Sequence, residues 1–163
     1  MIVRSTDYIK SLVNEIIKLP NETEWIEFKH NNEDPQMIGE YISALSNSAA
    51  LNGKTNGYII WGVDDTTHEI LGTTFTPSSA KKGGEALENW ILRLLEPKID
   101  FKFYEIEIDE KSNYKIDSIA ILGSNDIPQN NKSKFGKFKY ESENFDISQK
   151  YNEFLFLSIL GNL

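Results

Sequence analysis

The chain has 163 residues, 39% hydrophobic and 26% charged, which suits one domain of ordinary size with one core. It has no cysteine, which excludes disulfides and thiolate metal sites and fits a reducing cytoplasm. The net charge of −8 excludes a uniformly basic surface, so any phosphate-binding patch must be local.

The charge is uneven. Residues 1–130 hold 12 basic and 21 acidic side chains, or −9, while residues 131–163 hold 5 and 4, or +1. The N-terminal MIVRSTDY has no signal-like apolar run, and the longest apolar run, 154–160, is far shorter than the ~20 residues of a membrane helix. A soluble, cytoplasmic protein is the expectation.

In chain order, Ser5 or Thr6 can cap a first helix whose stripe is Ile9, Leu12, Val13, Ile16 and Ile17, stopped by Pro20. Residues 24–29 alternate as a strand with Ile26 and Phe28 on one face. Asp34 and Pro35 open a second helix, with Ile38, Ile42, Leu45 and Ala49 facing one way and Gly53 at its end. Residues 57–63 read as a buried strand, 64–67 as a turn and 68–71 as a partner strand closing a hairpin. Ser78 or Ser79 can cap a third helix carrying Leu87, Trp90, Ile91, Leu94 and Leu95, closed by Pro97. Residues 99–109 and 114–122 read as two strands, with a bulge expected where the apolar parity flips between Phe103 and Tyr104. The order α-β-α-β-β-α-β-β predicts an α/β (α+β) domain, a mixed sheet with packed helices. Ile26, Phe28, Ile42, Leu45, Ile59, Trp61, Leu87, Trp90 and Ile91 should form its core.

The candidate chemistry lies on the first strand. Period two puts Glu27 and Lys29 on one face, opposite Ile26 and Phe28. A carboxylate can hold a divalent cation, and a neighbouring lysine can stabilise charge on a phosphate. Glu22 precedes the strand, and Asp64 and Asp65 end the 57–63 strand, so Glu22, Glu27 and Asp65 can converge if the strands are neighbours. The plainer reading is a solvated strand face with an ion pair, and an Asp-Asp turn. His30 and His68 have no His or Cys partner at ligand spacing.

These segments resemble the Schlafen AlbA domain family. ETEWIEFK at 22–29 is similar to its opening motif, two glutamates followed by Phe-Lys. SALSNSA at 43–49 is similar to its helix ending in Asn-Thr, with Asn47 and Ser48 as helix-capping residues. GYIIWGVDD at 57–65, followed by ILG at 70–72, is similar to its glycine-rich strand and hairpin. The likeness covers about residues 20–123 and implies the Schlafen AlbA-like fold, with residues 1–130 as the domain. In Schlafen nucleases a three-carboxylate site cleaves structured RNA. That implies Glu22, Glu27 and Asp65 as metal ligands for Mg or Mn, with Lys29 beside them as the fourth catalytic residue. Bacterial relatives are described as DNA-binding or ATP-binding regulators.

Two departures stand out. The connection at 49–57 is longer than the family's, and the segment after Asp126, IPQNNKSKFGKFKY at 127–140, lacks the family's Arg-Gly-Ser end. The ATPase-like half of many relatives does not follow, so a fragment or truncated product is expected. Lys132, Lys134, Lys137 and Lys139 alternate with Phe135, Phe138 and Tyr140, either as a nucleic-acid-binding stretch or as a strand with one lysine face. Residues 151–160 are too apolar to stay bare on a monomer, so 131–163 should pack on the domain or on a second copy as a homodimer. Three functions follow: a nucleic-acid-binding domain of a bacterial-type transcriptional regulator, a divalent-metal-dependent endoribonuclease, or a protein-interaction or dimerisation module.

Overall fold

The computed structural model describes residues 4–96, 98–107, 118–123 and 137–138. Helix α1 (Thr6–Ile16) starts where the Ser5 hydroxyl accepts from the Tyr8 N–H, and it buries Ile9, Val13 and Ile16. Strand β1 (Ile26–Lys29) follows. Helix α2 (Pro35–Leu51) starts at Asp34, whose side chain accepts from the Met37 N–H at 2.8 Å, with proline in the first turn. It ends at Gly53, whose φ of +64° allows two closing bonds: Gly53 N–H to Ala50 O at 3.2 Å and Lys54 N–H to Ala49 O at 2.8 Å. Asn47 and Ser48 are therefore not caps. They lie buried inside the helix.

Strand β2 (Asn56–Trp61) pairs parallel with β1, making a β-α-β unit around α2. The other strands are β3 (Lys81–Lys82), β4 (Glu85–Ala86), β5 (Leu95–Glu96), β6 (Phe101–Tyr104), β7 (Ser118–Gly123) and β8 (Lys137–Phe138), with helix α3 (Leu87–Leu94) after β4. The main sheet has the order β1-β2-β7-β6, parallel at β1–β2 and antiparallel elsewhere. Among the described residues the fold is thus a mixed α/β domain with three helices and a four-stranded mixed sheet.

Both faces of this sheet are core. Ile26, Phe28, Ile60, Ile119 and Ile121 pack with Ile9, Val13 and Ile16 of α1. Ile59, Trp61, Phe101 and Ala120 pack with Ile38, Ile42 and Leu45 of α2 and Leu87, Trp90 and Ile91 of α3. All nine expected core residues are buried. Helix α2 comes so close to β2 that a Cβ on Gly57 would lie 3.0 Å from the Leu45 carbonyl oxygen.

The two-sided core explains the parity flip in the 99–109 segment. Pairing of β6 with β7 is unbroken from Phe101 to Tyr104, so no bulge lies there. Phe101 and Phe103 belong with the α2–α3 core, and Tyr104 and Ile106 with the α1 core. The 68–71 strand shrinks to a single bridge, Val63 to Ile70, because His68 takes a φ of +57°. Gly62 sits at φ +90° against Gly72, where an added Cβ would meet the Gly72 carbonyl carbon at 3.1 Å. The third helix begins at Leu87 and not after Ser79, since the β3–β4 hairpin intervenes. The expected stop at Pro97 lies outside the described residues, as do the 109–113 turn and the 151–160 segment.

Candidate functional site

Register fixes where the charges go. Glu27 pairs with Ile59 and Lys29 with Trp61, so both charged residues lie on the α2–α3 side. That face is not a solvated one. The two side chains are 13% and 19% exposed, and they form an ion pair between Glu27 Oε1 and Lys29 Nζ. Tyr41 of α2 covers them, with the Lys29 ammonium 5.0 Å from its ring centroid, a cation–π contact. Tyr41 escapes the sequence pattern because it sits one residue off the apolar stripe. An aromatic on the helix that crosses a charged strand face is the signal that could have found it.

Burial pulls the Lys29 ammonium down, but the Glu27 carboxylate and Tyr41 outweigh it and hold its pKa above the ordinary 10.5. Burial, with the Glu27 charge, pushes the Tyr41 phenol above 10.0.

Glu22 reaches the same strand from the loop before it. Its Oε1 accepts from the Phe28 N–H at 2.6 Å. Among the described strands β1 is a sheet edge, and by alternation the Phe28 N–H faces away from β2. Glu22 thus satisfies an edge donor that otherwise has only water. The residue as a whole is exposed, but its carboxyl lies against the β1 backbone. Lost hydration raises its pKa above 4.5, the Phe28 bond opposes this, and the charges of Glu27 and Asp65 add to the rise.

Asp64 and Asp65 divide their work. Asp64 Oδ1 accepts from the Thr66 N–H at 3.0 Å, the Thr67 N–H at 2.7 Å and the Thr67 hydroxyl at 3.1 Å, which locks the turn after Val63. These bonds hold its carboxyl below 3.8. Asp65 is exposed, bonded to the Thr66 hydroxyl at 3.3 Å and within electrostatic reach of Glu22. His30 is exposed because β1 ends at Lys29, and the His68 ring lies 4.6 Å from that of Phe28.

The structure therefore brings Glu22, Glu27 and Lys29 together on β1, with Asp65 at the rim. Carboxylates suit a hard divalent cation in kind. Among the described residues, however, no three Asp, Glu or His side chains are grouped closely enough to hold a metal ion. As it stands the site is a charge cluster. Lys132, Lys134 and Lys139 lie outside the described residues. Lys137 is described only as a position in β8, paired with Glu96. No described helix is long and apolar enough to cross a membrane.

The family model described as Schlafen, AlbA_2 matches residues 22–151, and the chain belongs to that family. The match starts at the first candidate carboxylate and takes in the 132–140 segment. No curated protein matches the chain.

Proposed function

We propose that this chain is a nucleic-acid-binding domain of a bacterial-type regulator. The observation that carries the reading is membership of the Schlafen AlbA_2 family, whose domains typically stand in proteins described as transcriptional regulators and ATP-binding proteins. In this reading residues 1–130 are the domain, and the family match runs from 22 to 151. With a net charge of −8, binding must work through a local surface, so it should weaken steeply with salt.

A second reading is a divalent-metal-dependent endoribonuclease, supported by the convergence of Glu22, Glu27 and Lys29 beside Asp65. In that reading Glu27 is the central ligand for Mg or Mn, Glu22 and Asp65 are the outer ones, and Lys29 offsets charge on the phosphate. Glu22 has only Oε2 free, since Oε1 is committed to the Phe28 N–H.

Incubating the protein with labelled transfer RNA and with duplex DNA, with and without manganese, tests both readings. A salt-sensitive shift of intact substrate supports binding alone. Manganese-dependent cleavage that Glu27→Gln abolishes supports the nuclease. Neither shift nor cleavage on any substrate refutes both and leaves a protein-interaction or dimerisation module.

A further inference from the structure

We infer that the hairpin at residues 81–86 is a surface through which this chain grips the phosphodiester backbone of a nucleic acid. The inference rests on the binding reading above and gives it a location.

The hairpin contributes little to the core. Strands β3 and β4 have two residues each, which is too short to stand alone. None of residues 81–86 is buried. The ladder continues by one bond at its base, from the Leu87 N–H to Ala80 O at 2.9 Å, and Lys82 Nζ lies 5.9 Å from the Trp90 ring centroid. Gly83 and Gly84 take φ of +59° and +89°, the two positive angles of a tight two-residue turn. A Cβ at either glycine would meet nothing within 4 Å. The tip is bare backbone, and a sugar–phosphate strand can approach it closely.

The two lysines make no ion pair among the described residues. Glu85 stands opposite Lys82 but pairs with Arg93 at 3.3 Å. That pair is 37% and 58% exposed, so salt and a competing phosphate displace it easily. Arg93 can then join the lysines, while the released Glu85, opposite Lys82, and Glu88 in the first turn of α3 are acids that temper them.

The other described cations are placed differently. Lys29 is paired with Glu27, and Lys98 donates to the last carbonyls of α3, Leu92 and Arg93. Arg4, Lys54 and Lys102 lie over the rings of Tyr8, Trp25 and Tyr104, as Lys82 lies over Trp90, but none of the three has a cationic neighbour in sequence. Lys10 and Lys18 each follow an acid by three residues, Asp7 and Glu15. The hairpin is where the described chain places two consecutive cations beside an open glycine turn, one on each face of the ribbon.

The test is fluorescence anisotropy with a labelled DNA duplex and a labelled RNA stem–loop, over a salt series. Lys81→Gln/Lys82→Gln in the full chain should weaken binding by roughly tenfold and lower the slope of log K against log salt by about 1.4–1.8. Melting should be unchanged, because neither residue is buried. Lys10→Gln/Lys18→Gln makes the same charge change elsewhere and should leave affinity and slope near wild type. If the hairpin variant binds like wild type, or the control loses as much, the inference is overturned while nucleic-acid binding stands. If the wild type binds neither probe, the binding reading fails and the inference fails with it. RNA-only or DNA-only binding lost in the hairpin variant supports the surface and names the acid it serves.

Discussion

The two faces of β1 do opposite things although a helix covers each. Ile26 and Phe28 face α1 and join an apolar core in which Phe28 is fully buried. Glu27 and Lys29 face α2, are partly exposed, and hold an ion pair under a tyrosine ring. A pair of aliphatic side chains could extend the second core to the sheet edge without the cost of removing two charges from water. The fold instead keeps the charges and adds a second carboxylate, Glu22, on the open side of the same strand. A charge cluster that packing does not require is a mark of a functional site, although ion pairs also serve structure.

The largest effect should come from the apolar face. Phe28→Ala removes a fully buried ring from the α1 core and should cost about 3–5 kcal/mol in urea unfolding. A loss under 1 kcal/mol would show that this face is not a core.

On the charged face, Lys29→Met strands the Glu27 carboxylate and should cost about 1.5–3 kcal/mol. Adding Glu27→Leu should recover most of that loss, because the pair is then replaced by apolar packing. If the double variant is less stable than Lys29→Met, the charges are structural and the contrast between the faces collapses.

The pH dependence sharpens the same contrast. The folded pKa values of Lys29 and Tyr41 are raised, so their contributions are fully present below 10.5 and 10.0 and are lost as pH rises through the higher folded values. Alkaline unfolding above about pH 10 should therefore be less steep in Lys29→Met. Glu22 is also raised, so its contribution is fully present below 4.5 and is lost as pH rises through the folded value. Glu22→Gln keeps an acceptor for the Phe28 N–H and should flatten stability across that window. Chemical denaturation at a series of pH values checks both.

The smallest effect should come from Asp64, which is at the surface. Its pKa is lowered, so its contribution is present above 3.8 and is lost as pH falls through the folded value. Asp64→Asn should lower the melting temperature slightly at neutral pH and not at all in strong acid.

Much of this was legible from side-chain period and caps. The stripe of α1, the Asp34 cap, the parity of β1 and the apolar 57–63 segment all report local rules that the fold obeys. What was not legible depends on partners distant in the chain. Alternation showed that Glu27 and Lys29 share a face but not that α2 would cover it, so a solvated face was expected. The flip at Tyr104 looks like a bulge in a sheet with one apolar face, whereas this sheet has two. The Gly83–Gly84 turn leaves no mark in the pattern because its two-residue strands are too short to show a period. For the carboxylates, the sequence could show the spacing of Glu22 from Glu27 but not that Glu22 is tied to the Phe28 N–H.

The most direct measurement is an anisotropy titration of labelled RNA and duplex DNA with wild type and Glu27→Gln, at low salt and without divalent metal. Wild type should bind, and Glu27→Gln should keep its fold and bind more tightly, because a negative charge beside Lys29 is gone. Absence of binding by both proteins would contradict the nucleic-acid-binding reading, and identical affinity of the two would contradict the phosphate contact that the nuclease reading gives to the Glu27–Lys29 pair.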